Sequence, residues 1–369
     1  MDILPQVTTI LSNNNLGRAG ASEDGFAALI GQGVAAGDFA LGDVLTFNQL
    51  ADAEAKGITA AYDATNGVTL HRHIADFYDT APVGATLLVM PVAKTVTVGD
   101  IVSKDGTYAP ALLDAASGKI RLLGVSTSSL DTFANIVTAM ATAQLLYKFA
   151  FDTFRPLSIF IEGRNCPADL TTLPNLRDAA TGPNANRVHL IISQDYSAVE
   201  AAAGYANYAN LGHALGRAAN VPVQRNIGRV KDGALPITVG ALSNGTKISE
   251  LTTATLDTLN DKGYIFLRTH VGKSGFYFNG DHAACPISDD YYSLARARVM
   301  DKAVRIVREV YVNELLDDID INPDTGKMEP DVITSYQQAC DTALLVNMLA
   351  KGNASGARTY VDPEQDVLS

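Results

Sequence analysis

From residue 24 onwards, short apolar runs alternate with stretches in which apolar residues recur every three to four positions. Continuous apolar runs of this length predict β-strands that are buried on both faces, as in a parallel sheet. Such runs lie at residues 26–30 and 86–90, and strands are also predicted at 119–125, 157–162 and 188–193. Two further strands are predicted at residues 264–268 and 273–279, the second from its alternating pattern.

Helices are predicted between these strands, at residues 46–56, 67–78, 128–149 and 204–219. Leu70, Ile74 and Phe77 share one face of the second helix, which makes it amphipathic. Ser128 and Asp131 have the spacing of a capping box at the start of the third. The fourth consists mainly of small residues, which would allow very close packing against a sheet.

Two long helices follow, at about residues 289–315 and 330–351. The first carries five basic residues, of which Arg298, Lys302 and Arg305 share a face beside its apolar side. Strands that alternate with helices over most of the chain predict an α/β fold, with α+β as the alternative. The expected architecture is a mixed sheet flanked by helices, with extended segments at both ends.

The ends of the chain differ from this pattern. An apolar string opens the sequence and a polar neck follows it, while a short extended segment follows Gly356 near the carboxyl terminus. The string comprises Ile3, Leu4, Val7, Ile10 and Leu11, and the neck comprises residues 12–20. The string fits either an arm that docks elsewhere or an ordinary edge strand of the chain's own sheet.

Composition narrows the possible partners. The 369 residues include 28 Lys and Arg against 40 Asp and Glu, a net charge of -12. Nucleic acid is not an expected partner, because the chain lacks a basic block that could displace counterions from phosphates. Membrane insertion is not expected either, since no apolar run reaches roughly 18 residues and no signal peptide is recognisable. Cys166, Cys285 and Cys340 are far apart and predict reduced thiols in a protein made in the cytoplasm.

Each candidate catalytic or binding motif has a simpler explanation. Gly272-Lys273-Ser274 resembles the end of a phosphate-binding loop, but Leu267 stands where the first glycine is required, so a turn between strands is favoured. Gly31-Gln32-Gly33 follows a strand without the helix that a dinucleotide-binding motif needs. On a helix, His71 and His73 point apart and cannot share a metal ion.

One loop remains a weak candidate for a cation. Asp320, Asn322 and Asp324 have the spacing of a calcium loop, but Thr325 occupies the position of the required glycine. The sequence therefore predicts no catalytic residue, no cofactor and no metal site, and it favours a structural or assembly role over an enzyme.

Segments spread over about residues 25–340 resemble contractile-tail sheath subunits, the short sheath proteins of phages and phage-like injection particles. The most specific is RVMDKAVRIVREVYVNEL followed by NPDTGKMEPDVI. The others are AALIGQGVAAGDFALGDVLTFNQLADAEAKGIT, HRHIADFYDTAPVGATLLVMPV, SGKIRLLGVS, RPLSIFIEGR, LGHALGRAANVPVQRNIGRVKDGAL and GYIFLRTHVGKSGFYFNGDHAAC.

The resemblance implies a structural subunit that stacks as hexameric rings around an inner tail tube protein, with a baseplate and a tail terminator as further partners. Such a sheath shortens irreversibly and drives its tube through a target envelope, which in a bacteriophage serves genome ejection. The implied location is a virion tail or phage-like particle assembled in the bacterial host cytoplasm. The main alternative is a small-molecule enzyme, an oxidoreductase or hydrolase on a Rossmann-like sheet.

The resemblance also implies roles for both ends of the chain. In such sheaths, terminal arms add strands to a sheet of the next subunit, because an edge strand has free N–H and C=O groups. Residues 1–22 would form an N-terminal arm and hinge, 23–351 the core, and 352–369 a C-terminal hinge and arm. The implied arm strands contain Ile3, Leu4, Val7, Ile10, Arg358, Tyr360 and Val361, and the hinges contain Gly17, Gly20, Gly352 and Gly356.

A third implied role concerns the basic face of the helix at residues 289–315. Because tube surfaces in such particles tend to be acidic, Arg298, Lys302 and Arg305 are expected to face the tube and hold it by salt-sensitive contacts. A solvated face, or pairs with acidic residues of the same chain, would explain the same pattern equally well.

Overall fold

The computed structural model describes residues 23–312, 314 and 325–364. One six-stranded sheet contains a strand from each of five predicted segments, which are 26–30, 86–90, 119–125, 157–162 and 188–193. The strand order is β2-β3-β1-β4-β5-β6. The strands are β1 (Ala27–Gly33), β2 (Leu45–Phe47), β3 (Leu87–Ala93), β4 (Leu122–Val125), β5 (Ser158–Glu162) and β6 (Val188–Ile191). All neighbours pair in parallel except β2, which is antiparallel to β3 at the edge. The α/β class with a mixed sheet is confirmed.

Two antiparallel pairs lie beside this sheet. The first joins β7 (Ser193–Asp195) to β8 (Gly240–Leu242), and the second joins β9 (Leu267–His270) to β10 (Lys273–Phe278). The predicted strand at 264–268 begins as a single parallel bridge between Ile265 and Ile191. The second pair confirms the turn predicted at Gly272, whose φ of 77° lies in the left-handed region.

Eleven α-helices connect or follow the strands in the described part of the chain. They are α1 (Leu50–Ala55), α2 (Ala60–Asn66), α3 (Leu70–Thr80), α4 (Val98–Ile101), α5 (Ala109–Ala115), α6 (Phe133–Asp152), α7 (Tyr196–Ala201), α8 (Leu211–Asn220), α9 (Thr253–Asp261), α10 (Leu294–Val312) and α11 (Pro330–Leu344). A π-helical turn, Leu345–Leu349, continues α11. Among the described residues, no helix is long and apolar enough to span a membrane.

Several helix starts differ from their predictions, and α10 begins at Leu294 rather than at about residue 289. Thr132, not Ser128, caps α6, because its side chain accepts the backbone N–H of Asn135. The Asp131 carboxylate instead accepts the backbone N–H groups of Ser128 and Val98, at 2.8 and 3.1 Å, and so joins two loops. The helix predicted at 204–219 begins only at Leu211, after a 3-10 turn.

Helices α3 and α8 pack against each other at backbone distance. A Cβ atom added at Gly212 would lie 2.1 Å from the carbonyl oxygen of His73, and one at Gly216 would lie 2.3 Å from that of Phe77. The small residues of α8 thus allow a close approach to α3, and α8 also contacts β4 and β5 of the sheet. In that sheet, β1, β4, β5 and β6 consist entirely of buried residues.

Candidate assembly interface

In open α/β sheets, small molecules bind at the carboxyl ends of the strands where the strand order reverses. In this sheet, that position lies between β1 and β4. Ser126, Thr127 and Ser128 follow β4 directly, and each is only 1% exposed. Thr127 donates its backbone N–H to Glu162 Oε2 at 2.8 Å, while Glu162 Oε1 accepts the N–H of Ala209 at 3.0 Å. The crevice is therefore filled by the protein's own side chains.

Glu162 is charged although it is fully buried. Burial alone would raise its pKa, but the charge and hydrogen bond of His73 and the hydrogen bond from Thr127 outweigh burial and lower the pKa to about 2. His73 Nε2 lies 3.5 Å from Glu162 Oε2. The carboxylate is a structural anchor between α3 and the sheet.

A second buried polar cluster ties α3 to α8. Asp76 Oδ1 lies 2.5 Å from Arg72 Nη2, and Asp76 Oδ2 lies 3.4 Å from His213 Nδ1. Arg72 also donates to Asp195 at 3.1 Å. Burial raises the pKa of Asp76 to about 6, and burial together with the charge of Arg72 lowers that of His213 to about 3. His213 is therefore neutral at pH 7.

This cluster contains the one group among the described residues with potential metal-ligand spacing. Ligand atoms of Asp76, Asp79 and His213 lie within 4.8 Å of one another. A cation placed there would lie beside the guanidinium of Arg72, which already neutralises Asp76. We therefore interpret the cluster as a buried ion-pair network that joins α3, α8 and β7.

The other predicted motifs occupy structural positions. His71 Nε2 lies 3.2 Å from Glu54, on the side of α3 away from the Glu162 contact of His73, as the helical spacing predicted. The three cysteines are free and buried. Asp320, Asn322 and Asp324, the weak cation candidate, lie outside the described residues.

The basic face of α10 binds within the chain. Arg298 is 4% exposed, and its Nη2 donates to the backbone oxygens of Asp24 and Val221 at 3.2 and 3.4 Å. Lys302 and Arg305 donate to the two carboxylate oxygens of Asp24, at 2.6 and 2.8 Å. Arg298 is thus buried by contacts within the chain in this structure, whereas Lys302 and Arg305 are partly exposed. A tube contact by Arg298, Lys302 and Arg305 remains a prediction.

The neighbouring cations lower the pKa of Asp24. Burial raises its pKa, but the hydrogen bond and charge of Lys302 and the charges of Arg305 and Arg298 outweigh burial, so the pKa lies below its ordinary value. Sequence reasoning missed Asp24 because no local spacing connects it to α10. The helical spacing of the basic residues was the only available signal, and it identified their shared face.

The carboxyl-terminal segment runs along α10 without pairing in a described strand. Together with α10 and the end of α6 it borders a groove of about 870 Å³. Thr359 donates its backbone N–H to Asp341 at 2.7 Å, whereas Tyr360 is 76% exposed. Apolar residues of the groove include Phe151, Phe154, Met300, Val307 and Val312.

The predicted arm and hinge residues differ in how far the structure describes them. Gly352 has a φ of 69°, in the left-handed region, where the chain turns away from the end of the helix. Gly356, Arg358 and Val361 belong to the extended carboxyl-terminal segment. The amino-terminal residues Ile3, Leu4, Val7, Ile10, Gly17 and Gly20 lie outside the described residues.

Three solved structures that are similar to this chain come from contractile particles. The chain aligns with a subunit of the anti-feeding prophage baseplate at a TM-score of 0.58 and 13% identity, covering 97% of this chain and 86% of that one. The contracted helical sheath of the anti-feeding prophage gives 0.57 and 14%, with 97% and 87% covered. The contracted PVC sheath complex of an extracellular contractile injection system gives 0.57 and 11%, with 97% and 85% covered. The sheath-like fold implied by the sequence is confirmed.

No curated protein matches the sequence. Two family models match it instead and divide the chain near residue 285. The N-terminal domain model of DUF2586 matches residues 4–282, and the C-terminal domain model of DUF2586 matches residues 290–369. These matches cover most of the sequence, and the chain belongs to the DUF2586 family.

Proposed function

We propose that this chain is the structural subunit of a contractile sheath that polymerises as stacked hexameric rings around an inner tube. Contraction of the polymer drives the tube through a target envelope. The observation that carries the proposal is the extent of the fold similarity, because 97% of the chain aligns with subunits of two contracted sheaths. The subunit has no catalytic role and needs no cofactor.

The proposal extends to partners and location. An inner tube protein, a baseplate and a tail terminator are the expected partners, in a phage tail or phage-like particle assembled in a bacterial cytoplasm. The baseplate similarity supports a multi-subunit particle. The filled crevice at Ser126, Thr127 and Ser128 argues against the rival enzyme on a Rossmann-like sheet.

The surface of α10 supports polymerisation. Phe154 is 56% exposed and Met300 and Val312 are more than 40% exposed, all along one groove. Exposed apolar side chains that cluster in this way are characteristic of protein–protein contacts. Residues 1–22 and 352–369 are the proposed arms, and they link neighbouring subunits by adding strands to a neighbour's sheet.

Truncation tests the proposal. We expect the full chain to form rings or tubes visible by negative stain, and a chain without residues 356–369 to remain unassembled while its core stays folded. The unfolding free energy should change by less than about 0.5 kcal/mol, because the described residues of the removed segment, 356–364, are largely exposed. Sedimentation and circular dichroism measure the two effects.

A chain that lacks only residues 365–369 is the matched control, since it keeps the segment that borders the groove. It should assemble like the full chain. Intact tubes from the longer truncation would contradict the arm model, and a full chain that stays monomeric at every concentration would contradict the sheath function itself.

A further inference from the structure

The two ends of the described core meet at one side chain. Lys302 Nζ donates to Asp24 Oδ2 at 2.6 Å and to Asn353 Oδ1 at 2.9 Å. Asp24 is the second described residue of the chain, and Asn353 is the point where the extended carboxyl-terminal segment begins. A single ammonium group on α10 therefore binds the bases of both terminal segments.

The amino-terminal side of this contact is fixed by backbone packing. A Cβ atom at Gly25 would lie 2.5 Å from the carbonyl oxygen of Ala219, so only glycine allows the chain to pass so close to α8. Arg298 and Arg305 bind the backbone oxygen and the second carboxylate oxygen of Asp24. The carboxylate is thus presented to Lys302 in one orientation.

The carboxyl-terminal side is fixed in a comparable way. Asn353 is buried, although it lies in a segment that is otherwise mostly exposed. Its side-chain Nδ2 donates to Gln224 Oε1 at 2.8 Å, and its backbone N–H donates to the oxygen of Met348 at 2.9 Å. The amide oxygen is consequently left to accept from Lys302.

We infer that Lys302 is a positioning residue that clamps the bases of both terminal segments to each other. A force on one segment is transmitted to the other through the two hydrogen bonds of the Lys302 side chain and not through the six-stranded sheet. The lysine suits this position because a compact ammonium group has three donors and can bind two acceptors at once. The role of the clamp in sheath assembly rests on the proposed function. The existence of the clamp does not.

Spin labels test the clamp in the unassembled full chain. Cysteines introduced as Glu23→Cys and Ser355→Cys are exposed, while the three native cysteines are buried and should not react. We expect one narrow distance distribution between the labels, which Lys302→Met widens. Asn353→Ala, which removes one of the two Lys302 contacts together with the bond to Gln224, should widen it as well.

Arg296→Met is the matched control, since Arg296 is an exposed cation on the same helix and stacks on Tyr292. It should leave the distribution unchanged. An equally narrow distribution in folded Lys302→Met and Asn353→Ala would overturn the clamp.

Assembly gives the second readout. Lys302→Met should lower the sedimentable fraction about tenfold relative to Arg296→Met, because it removes two charge-assisted hydrogen bonds, one to a carboxylate and one to an amide oxygen. Equal assembly of the two variants would overturn the role of the clamp in the sheath. If the unsubstituted chain itself never assembles, the proposed function fails, and the spin-label distances still decide whether the clamp exists.

Discussion

The sheet region, by which we mean the six-stranded sheet with α3, α6 and α8, differs sharply from the helical pair of α10 and α11. In the sheet region, even charged residues such as Asp76 and Glu162 are fully buried and bound by neighbours within the chain. The helical pair has a small core around Ile306, Leu344 and Met348. Its outer residues include the exposed Met300, Val312, Leu345 and Val346.

This difference shows how the two regions obtain their stability. The sheet region buries most of its apolar surface within one chain, and burial of apolar surface is the dominant favourable term in folding. The helical pair leaves apolar surface uncovered and carries both terminal segments at Lys302. The main buried core therefore lies in one region, and the exposed apolar groove runs along the other.

The largest expected effect comes from the backbone contact between α3 and α8. Gly212→Ala should lower the unfolding free energy by about 4 kcal/mol or more, because the new methyl group would meet a carbonyl oxygen of His73 at 2.1 Å. The two helices would have to separate, and the buried Arg72–Asp76 pair lies between them. Urea denaturation followed by circular dichroism measures the change.

Gly99→Ala in α4 is the control for this substitution. A Cβ atom there meets only Thr97 Oγ1 at 3.9 Å, so alanine should be neutral or stabilise the helix by up to about 1 kcal/mol. Similar effects of the two substitutions would mean that the close approach of α3 and α8 does not hold the sheet region together.

The second-largest effect is expected from acid, which should lower the unfolding free energy of the sheet region. Burial lowers the pKa of His189 to about 4 and those of His213 and His282 to about 3. Below pH 6.5 the unfolded chain binds protons that these native histidines do not, so the unfolding free energy falls as pH falls. The loss from pH 7 to 5.5 is on the order of 1 kcal/mol per histidine. Burial raises the pKa of Asp76 to about 6, and protonation of this carboxyl in the native state returns part of the loss.

This pH dependence should arise outside the helical pair, since no histidine lies beyond residue 282 and α10 and α11 contain none. Urea denaturation at pH 7 and 5.5 measures the global change, and hydrogen exchange in α10 reports local opening of the helical pair. His270→Gln, at a half-buried hairpin position where burial lowers the histidine pKa, should alter the pH dependence less than substitution of His213 or His282. A free energy of unfolding that is equal at both pH values would show that the buried histidines are not held neutral.

The comparison also explains what the sequence predicts well. Continuous apolar runs such as 26–30 and 86–90 identify strands because burial on both faces leaves no polar alternative. The start of α8 is predicted too early because its small residues extend back through a segment that forms a 3-10 turn. Helix propensity alone gives no boundary there.

The interface is less accessible to sequence reasoning than the fold. The helical spacing of Arg298, Lys302 and Arg305 identifies their common face, but burial of Arg298 depends on Asp24 and Val221, which are distant in sequence. The pairing with Asp24 follows from the tertiary fold and not from any local pattern. Spacing can therefore predict which residues lie together, but not what lies opposite them.

The smallest effect is expected where the carboxyl-terminal segment meets the loop before α11. Lys327 pairs with Glu364, and their side chains are 40% and 73% exposed. Lys327→Met should change the unfolding free energy by less than about 0.5 kcal/mol, because an exposed ion pair gains little over solvation of its charges. Thermal denaturation at low and at 0.5 M salt checks this, with Lys104→Met, which breaks the exposed pair with Asp105, as the control. If the unfolding free energy instead falls by more than about 1 kcal/mol and salt abolishes this loss, charges on the carboxyl-terminal segment stabilise the helical pair within one chain. The helical pair would then depend less on neighbouring subunits than its exposed apolar surface indicates.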